Sequence, residues 1–180
     1  MKIAFISDVH GSYPAAESVL QAADAWGAER IVVLGDMMYH GPRNPLPEGY
    51  APGQVAALLN RYADRIVAVR GNCDSEVDQM LLEYPMMGDY AVICLPERDF
   101  FLTHGHVYDP DKHPALRPGT VLAFGHIHTP VARVRDGIVY FNPGSAALPK
   151  DPYPPTWGRY EAGVLETVDF QGNVIERLDL

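Results

Sequence analysis

The sequence predicts a mixed α/β (α+β) fold, a four-layer α-β-β-α sandwich of two facing mixed sheets with helices outside. In the first half, apolar runs alternate with amphipathic stretches, and this β-α-β-α-β order implies parallel strands with right-handed crossovers. In the second half, short strands follow one another without long helices, which predicts a second, mainly antiparallel sheet. The 180 residues include 16 Gly and 16 Pro, which favours many turns and short elements.

The first half contains three predicted strands and two predicted helices. The strands are short, apolar and rich in residues that favour β structure. The helices show apolar residues at steps of three and four, and the first has Pro14 in its first turn and Gly27 at its end. The predicted elements are the strand Lys2–Ser7, the helix Pro14–Gly27, the strand Arg30–Leu34, the helix Gly53–Ala63 and the strand Arg65–Val69. The segment Tyr39–Pro52, with four prolines, is predicted to be a long structured loop.

The second half is a series of short strands separated by turn residues. Asp136-Gly137 is a strong hairpin signal between two of them, and Gln171-Gly172-Asn173 lies between two more. The Pro-rich stretch Pro149–Trp157 is expected to be a surface loop. The predicted strands are Tyr90–Leu95, Phe100–Thr103, Thr120–Phe124, Val131–Arg135, Ile138–Phe141, Ala162–Asp169 and Val174–Leu180. Because no linker or repeat interrupts this order, residues 1–180 are expected to form a single domain.

Composition excludes several classes of protein. The formal net charge of −9 argues against long nucleic acid as the main partner, because such binders usually carry a basic face. No apolar run approaches the roughly 20 residues of a membrane span, so no membrane association is expected. The predicted chemistry begins at Asp8, which leaves no room for a cleaved signal peptide. The two cysteines, Cys73 and Cys94, cannot form a disulfide framework, and a soluble cytoplasmic protein is expected.

Polar side chains follow the predicted strands at the points where those strands end. They are Asp8 and His10 after the first strand, Asp36 after the second, Asn72, Cys73 and Asp74 after the third, and His104, His106, His126 and His128 after later strands. Ligands of open α/β sheets bind beyond the carboxyl ends of the strands, so these residues are expected at one rim. Residues two apart in extended chain lie on the same face, so each Asp-x-His or His-x-His pair can reach one point.

The chemistry of this set points to metal ions. Carboxylate, imidazole and amide oxygen together suit Mn²⁺, Fe, Zn²⁺ or Ni²⁺ better than Mg²⁺ or Ca²⁺, which prefer shells of oxygen alone. The number of ligands exceeds what one ion can use, and two ions with a shared carboxylate fit the count. Each pair alone is weak evidence for a metal site, since Asp-x-His and Gly-Asp are common in turns and caps. The prediction rests on the ordered set of strand-end residues.

The ordered set resembles the calcineurin-like metallophosphoesterase superfamily. The length, the Cys in the third motif and the loop Gly41-Pro42-Arg43-Asn44 make the chain similar to the small bacterial YfcE-type phosphodiesterase branch. The resemblance covers essentially the whole chain. It rests on Asp8-Val9-His10, Gly35-Asp36, Gly71-Asn72-Cys73-Asp74, Thr103-His104-Gly105-His106 and Gly125-His126-Ile127-His128.

The resemblance implies a role for each of these residues. Asp8, His10 and His128 would bind a first divalent ion, Asn72, His104 and His126 a second, and Asp36 would bridge both. Mn²⁺ is favoured, with Zn²⁺, Ni²⁺ or Fe as alternatives. His106 would orient a ligand or touch the substrate; a plain polar strand residue is the alternative. A hydroxide bridging the two ions would attack phosphorus in line, opposite the leaving oxygen.

Three further residues are candidates for catalysis or substrate binding. Cys73 stands where larger members of the superfamily have a histidine, and a neutral thiol is a poorer acid, so cleavage of esters with basic leaving groups should be slow. Packing beneath the site is the alternative for Cys73. His40 and Arg43 belong to the loop after Asp36 and are expected to hold the substrate phosphate, Arg43 through a bidentate fork, unless they are merely exposed.

Other notable residues have structural interpretations. Asp74 is expected to cap the helical turn Ser75–Leu82, and Cys94 is expected to be structural within an apolar strand. Tyr153 and Trp157 could line a pocket or a subunit contact. Met80, Met86 and Met87 are expected to pack in the core or at an interface.

The function predicted from the sequence is therefore a binuclear metal-dependent phosphodiesterase acting on small phosphodiesters. The alternative is a non-catalytic protein-interaction scaffold that retains the metallophosphoesterase fold. A nuclease for long DNA or RNA is disfavoured by the acidic charge. A homodimer or homotetramer is compatible with the Met- and aromatic-rich loops.

Overall fold

The computed structural model describes residues 1–180, which form eleven strands in two mixed sheets and three α-helices. The helices are α1 (Tyr13–Trp26), α2 (Pro52–Asn60) and α3 (Glu76–Gln79). The strands are β1 (Ile3–Ile6), β2 (Arg30–Val33), β3 (Ile66–Ala68), β4 (Tyr90–Cys94), β5 (Asp99–Thr103), β6 (Val121–Ala123), β7 (Pro130–Arg135), β8 (Ile138–Pro143), β9 (Thr156–Glu161), β10 (Val164–Asp169) and β11 (Val174–Asp179). The predicted fold class, with two facing mixed sheets, is confirmed.

The first sheet has the order β11-β10-β9-β1-β2-β3 and the second has the order β4-β5-β6-β8-β7. In the first sheet, β1, β2 and β3 are parallel, as the β-α-β-α-β order predicted. In the second, β5, β6 and β8 are parallel, while β4 and β7 run antiparallel at the two edges. The expectation of a mainly antiparallel second sheet is therefore wrong, because the irregular segment between β5 and β6 returns the chain to the same end of the sheet.

Helix α1 shows how local sequence and packing agree. The Ser12 side chain caps its first turn by accepting the Ala15 amide, and Gly27 ends it with φ of 83°, in the left-handed region that glycine adopts without steric cost. Its apolar stripe, with Val19 and Leu20 fully buried, packs with α2 against Ala4 and Ile6 on the outer face of the first sheet. This burial holds the sheet edge that carries the candidate site.

The core between the sheets follows the period of two along each strand. In β1, Ile3 and Phe5 face the second sheet, while the alternate residues face the helices. The Phe5 ring lies 5.3 Å from the Phe141 ring in an edge-to-face arrangement. The outer face of the second sheet is covered by the irregular segment 104–120, from which Tyr108 and Leu116 pack onto the apolar cluster that contains Leu122. The helical layer predicted on this side is therefore replaced by irregular chain.

Strand β9 was not expected from the sequence; it includes the last two residues of the predicted loop Pro149–Trp157, whose residues 149–155 are irregular as predicted. It joins β1 to β10, so the C-terminal hairpin extends the first sheet. Its sequence contains Gly158, a weak strand former, but a Cβ there would come within 2.6 Å of the Phe141 ring. Trp157 is buried, with its ring 6.0 Å from that of Trp26, so it belongs to the core and not to a pocket or subunit contact.

The structure refines two smaller expectations. Cys94 is exposed on β4, at the edge of the second sheet, where burial alternates along the strand. Met86 is buried in the core as expected, whereas Met80 is 83% exposed. No helix of the structure combines the length and the apolar character needed to span a membrane.

Candidate metal centre

The seven predicted metal ligands are brought together where the strands of both sheets end. Asp8 and His10 follow β1, Asp36 follows β2 and Asn72 follows β3, whose parallel arrangement places their carboxyl ends at one edge. His104 follows β5, and His126 and His128 follow β6, which is parallel to β5. The first sheet therefore contributes four of the seven residues and the second sheet contributes three.

The backbone at these positions is unusual. Five of the seven non-glycine residues with positive φ are predicted ligands: Asp8 at 56°, His10 at 51°, Asp36 at 55°, His126 at 67° and His128 at 59°. Such conformations are unfavourable for residues with a Cβ, and they concentrate at functional sites where the surrounding structure enforces them. The backbone strain is therefore concentrated in the predicted metal ligands.

Two glycines allow the loops to approach this closely. A Cβ at Gly71 would lie 2.0 Å from Asp36 Oδ1, and a Cβ at Gly125 would lie 1.9 Å from the Ser7 hydroxyl oxygen. Any larger residue at either position would displace a strand-end loop that carries a ligand.

One carboxylate lies at the centre of the first cluster. Asp8 Oδ2 accepts hydrogen bonds from the Ser7 hydroxyl at 2.6 Å and from the His126 amide at 3.0 Å. Asp8 Oδ1 is buried without a hydrogen-bond partner, 3.5 Å from His10 Nε2 and 3.2 Å from His128 Nε2. The anchored oxygen fixes the carboxylate, and the other oxygen points into the space between the two imidazoles.

The hydrogen bonds of His10 and His128 show which ring nitrogen of each faces the Asp8 carboxylate, and so whether the cluster fits a cation. His10 Nδ1 lies 2.9 Å from the Tyr39 carbonyl oxygen, and His128 Nδ1 lies 2.6 Å from the Leu148 carbonyl oxygen. A carbonyl oxygen only accepts, so each neutral ring carries its hydrogen on Nδ1 and directs an Nε2 lone pair inward. The two Nε2 atoms are 3.2 Å apart, and these lone pairs and the Asp8 carboxylate are all acceptors. A divalent cation satisfies all of them, so the residues fit the metal.

The second cluster repeats this arrangement around Asp36 and His104. His104 Nδ1 lies 2.6 Å from the Leu34 carbonyl oxygen, so its Nε2 faces Asp36 Oδ2 at 3.4 Å and Asn72 Oδ1 at 3.2 Å. His126 is half-buried, with its ring 5.1 Å from that of His104. Asp36 Oδ2 is also 3.9 Å from His10 Nε2, so this carboxylate lies between the two clusters.

The electrostatics of the cluster favour added positive charge. Burial alone would raise the pKa of Asp8, but the adjacent imidazoles of His10 and His128 outweigh it and lower that pKa. The pKa of Asp36 is lowered in the same way by His104. Burial alone would lower the pKa of His104, but the two carboxylates outweigh it and raise that pKa to about 9. In the absence of a cation, the carboxylates thus hold a proton in its place.

The side chains beside the clusters have different environments. His106 is half-buried with its ring 5.4 Å from that of His104, and its Nδ1 has no protein partner. The Cys73 amide donates to Asp36 Oδ1 at 2.8 Å, and its Sγ accepts from Asn72 Nδ2 at 3.3 Å. Burial, followed by the charge of Asp36, raises the pKa of Cys73, so the thiol is neutral at neutral pH.

Asp74 was expected to cap the following helical turn, and this expectation is wrong. Ser75 begins α3 in a capping box with Asp78, while the buried Asp74 carboxylate accepts from the amides of Gly71 at 2.7 Å, Asp36 at 2.8 Å and Met37 at 3.3 Å. Burial, followed by the charge of Asp36, raises its pKa to about 6. Asp74 therefore joins the loop after β2 to the loop after β3.

A cleft of about 1130 Å³ opens beside the clusters, with Asp36, Asn72, His126 and His128 in its lining. Arg43 lines it, as the loop position predicted. His40 does not, because its ring lies between those of Tyr39 at 4.9 Å and Tyr50 at 5.3 Å. Lys150 also lines the cleft. The sequence pattern does not single out this residue; its place depends on the Lys150 amide bonding to the His128 carbonyl oxygen at 3.3 Å.

Comparisons with known proteins agree with this geometry. The family model of the calcineurin-like phosphoesterase superfamily domain matches residues 1–163. Phosphodiesterase YfcE from Escherichia coli K12 is 50% identical over 168 residues, which cover 93% of this chain and 91% of that protein. A solved structure of Yfce, a phosphoesterase from E. coli, superposes with a TM-score of 0.97 at 47% identity and covers 99% of both chains.

A more distant match shows the fold alone. A single mutant of Vps29 from Entamoeba histolytica superposes with a TM-score of 0.65 at 20% identity, covering 100% of this chain and 99% of that chain. The match of the family model and the 50% identity to YfcE together confirm the resemblance drawn from the strand-end residues: the chain belongs to the calcineurin-like phosphoesterase superfamily.

Proposed function

We propose that this protein is a metal-dependent phosphodiesterase that hydrolyses small phosphodiesters at a binuclear centre. The observation that carries the proposal is the convergence of imidazole Nε2 atoms on two buried carboxylates, Asp8 and Asp36, with one oxygen of Asp8 left without a hydrogen-bond partner. Two relatives bear the name phosphodiesterase, YfcE from E. coli at 50% identity and MJ0936 from Methanocaldococcus jannaschii at 24%.

The ligand sets proposed for the two ions follow the two clusters. Asp8, His10 and His128 would hold one ion, Asn72, His104 and His126 the other, and Asp36, which lies between them, would be shared. Mn²⁺ is favoured, and Zn²⁺, Ni²⁺ or Fe would fit the same mixture of oxygen and nitrogen donors. When bound, such ions lower the pKa of a water molecule and neutralise the charge on the phosphate oxygens.

The chain's own residues would bind the substrate and determine which leaving groups react fast. Arg43 and Lys150, both in the cleft lining, would hold phosphate oxygens beside the clusters. His106, beside His104, would orient that ligand or contact the substrate. Cys73 stays a neutral thiol, and a thiol gives little help to a basic leaving group, so activated aryl esters should react faster than alkyl esters.

The test compares an aryl diester with its monoester. Metal-free protein is resupplied with Mn²⁺, Zn²⁺, Ni²⁺ or Mg²⁺, and hydrolysis of bis(4-nitrophenyl) phosphate and 4-nitrophenyl phosphate is measured. The diester should be preferred, and Asp36→Asn should reduce turnover at least about 100-fold. Asp136→Asn, the same change in the exposed β7–β8 turn, is the matched control and should retain full activity. If no metal supports turnover above that of Asp36→Asn, the protein is not a phosphodiesterase, and a binding scaffold becomes the better explanation.

A further inference from the structure

The cleft beside the metal centre has an apolar wall that the reaction at phosphorus does not require. Val77 is 66% exposed and Leu81 is 51% exposed, although both are aliphatic, and both line the cleft. Tyr39 at 42% and Ile127 at 37% exposure line it from other segments. Single exposed apolar residues are ordinary, but a group of four lining one cleft indicates a binding surface.

Local structure holds the first two of these side chains beside a metal ligand. Val77 and Leu81 are four residues apart in and just after α3, which puts them on one face. The Met80 amide bonds to the Glu76 carbonyl oxygen at 3.2 Å, and the Leu81 amide bonds to that of Asp78 at 3.0 Å, so the turn continues through Leu81. Because α3 begins four residues after Asn72, the wall lies next to the second cluster.

The size and charge of the cleft decide what this wall can bind. A volume of about 1130 Å³ is larger than a phosphate group needs and slightly exceeds the roughly 300–1,000 Å³ of ordinary small-molecule sites. The wall carries the acidic Asp78 in its lining, while the cationic Arg43 and Lys150 come from other segments. A second anionic group would therefore avoid α3, and an uncharged apolar group would gain contact there.

We propose that Val77 and Leu81 form a subsite for an aromatic or aliphatic ester group of the substrate, so that the preferred phosphodiesters carry a ring-sized apolar substituent. This inference rests on the proposed function and deepens it. The ester group that stays on phosphorus would contact Val77 and Leu81 while the other ester bond is cleaved. Small diesters such as dimethyl phosphate would leave the wall exposed.

The test keeps the leaving group constant and varies the other ester group. Methyl 4-nitrophenyl phosphate and phenyl 4-nitrophenyl phosphate both release 4-nitrophenolate, and kcat/KM is measured for each with Mn²⁺-loaded protein. The ratio of phenyl to methyl should fall about three- to tenfold in the double variant Val77→Ser/Leu81→Ser, with the methyl ester little affected. Met80→Ser is the matched control, because Met80 lies in the same segment and is 83% exposed but does not line the cleft. Leu81→Met should preserve the ratio.

A binding measurement gives a second readout. Calorimetry should show that phenylphosphonate binds the wild type more tightly than methylphosphonate, and that the double variant loses this difference. Turnover of both esters with a ratio that the double variant leaves unchanged would overturn the subsite while leaving the phosphodiesterase intact. An unchanged ratio together with dissociation of an oligomer, measured by light scattering, would assign the wall to a second copy of the chain instead. Absence of metal-dependent turnover of either ester would contradict the proposed function itself.

Discussion

The carboxylate of Asp74 accepts the backbone amide of Asp36 at 2.8 Å, and so links two strand-end loops that each contribute a predicted metal ligand. The same carboxylate accepts the amides of Gly71 and Met37. Three buried N–H groups thus depend on one side chain, and Asp36 and Asn72 depend on those loops for their positions.

Replacing Asp74 should therefore affect both stability and activity. Asp74→Ala leaves these amides without an acceptor and should lower the free energy of unfolding by about 1–3 kcal/mol. A displacement of the ligands near 1 Å should also reduce kcat about 100-fold. Urea unfolding and turnover of an aryl diester measure the two effects. Asp89→Asn, which removes a partly exposed ion pair with Arg70, is the control and should cost less than about 1 kcal/mol. If Asp74→Ala had the wild-type free energy of unfolding and the wild-type kcat, Asp74 would not hold the two loops in place.

Metal binding should stabilise the folded protein, because the clusters hold more acceptors than protons can satisfy. At a Mn²⁺ concentration about 100 times the dissociation constant, the gain is about 2.7 kcal/mol. For a chain of this length, that gain should raise Tm by about 5–10 °C, and a chelator should reverse it. Differential scanning calorimetry measures the shift. Asp8→Asn should show a much smaller one, whereas Asp136→Asn should respond like the wild type; equal shifts in all three proteins would exclude Asp8 as a ligand.

Lys150 and Arg43 should contribute to substrate binding more than to the chemical step. Both are exposed, so their attraction for phosphate is partly screened by water and salt. Lys150→Ala and Arg43→Ala should each raise KM about three- to tenfold with a smaller change in kcat, and the effect should shrink at high ionic strength. Arg133→Ala removes an exposed cation on β7, outside the cleft lining, and is the control. Steady-state kinetics at two salt concentrations would refute the assignment if all three variants behaved alike.

Cys73 should be dispensable for cleavage of activated esters. Its backbone amide, rather than its thiol, donates to Asp36 Oδ1, and Cys73→Ser keeps that bond. The raised pKa of the thiol also argues against a thiolate nucleophile. We expect Cys73→Ser to retain kcat for bis(4-nitrophenyl) phosphate within about threefold, with no burst of product in stopped-flow traces. A loss of 100-fold or more would show that sulfur takes part in the reaction.

Asp169 should make the β10–β11 hairpin sensitive to acid. Its burial alone would raise its pKa, but hydrogen bonds from Asn173 and Gln171 outweigh this and lower the pKa. A lowered pKa means that the stabilisation is complete above the unfolded value of about 3.9 and is lost as the pH falls through the folded value. Compared with Asp169→Asn, the wild type should be about 1 kcal/mol more stable at pH 7. Thermal unfolding from pH 7 to pH 2.5 should show this difference shrinking below about pH 4; a constant difference would contradict the prediction.

The two halves of the chain differ in how far the sequence predicts their structure. For α1 and the parallel strands, apolar spacing, Pro14 and Gly27 are local signals, and tertiary packing agrees with them. Strand β9 lacks such a signal, because Gly158 is a weak strand former. The close approach of the Phe141 ring is what explains a glycine at this position. The strand order of the second sheet could not be predicted from the sequence either, because strand pairing depends on where an irregular segment returns the chain.

The candidate site divides in the same way. The sequence by itself determined which residue types follow each strand, because strand ends and their chain order are local properties. The resemblance to the superfamily then narrowed these residues to the seven candidate ligands. Tertiary structure alone decided that Lys150 lines the cleft, that Asp74 joins two loops instead of capping α3, and that His40 is held between tyrosines. These outcomes depend on contacts between segments far apart in the chain, whose energies are set by packing and by hydrogen bonding of buried amides, and no local pattern records them.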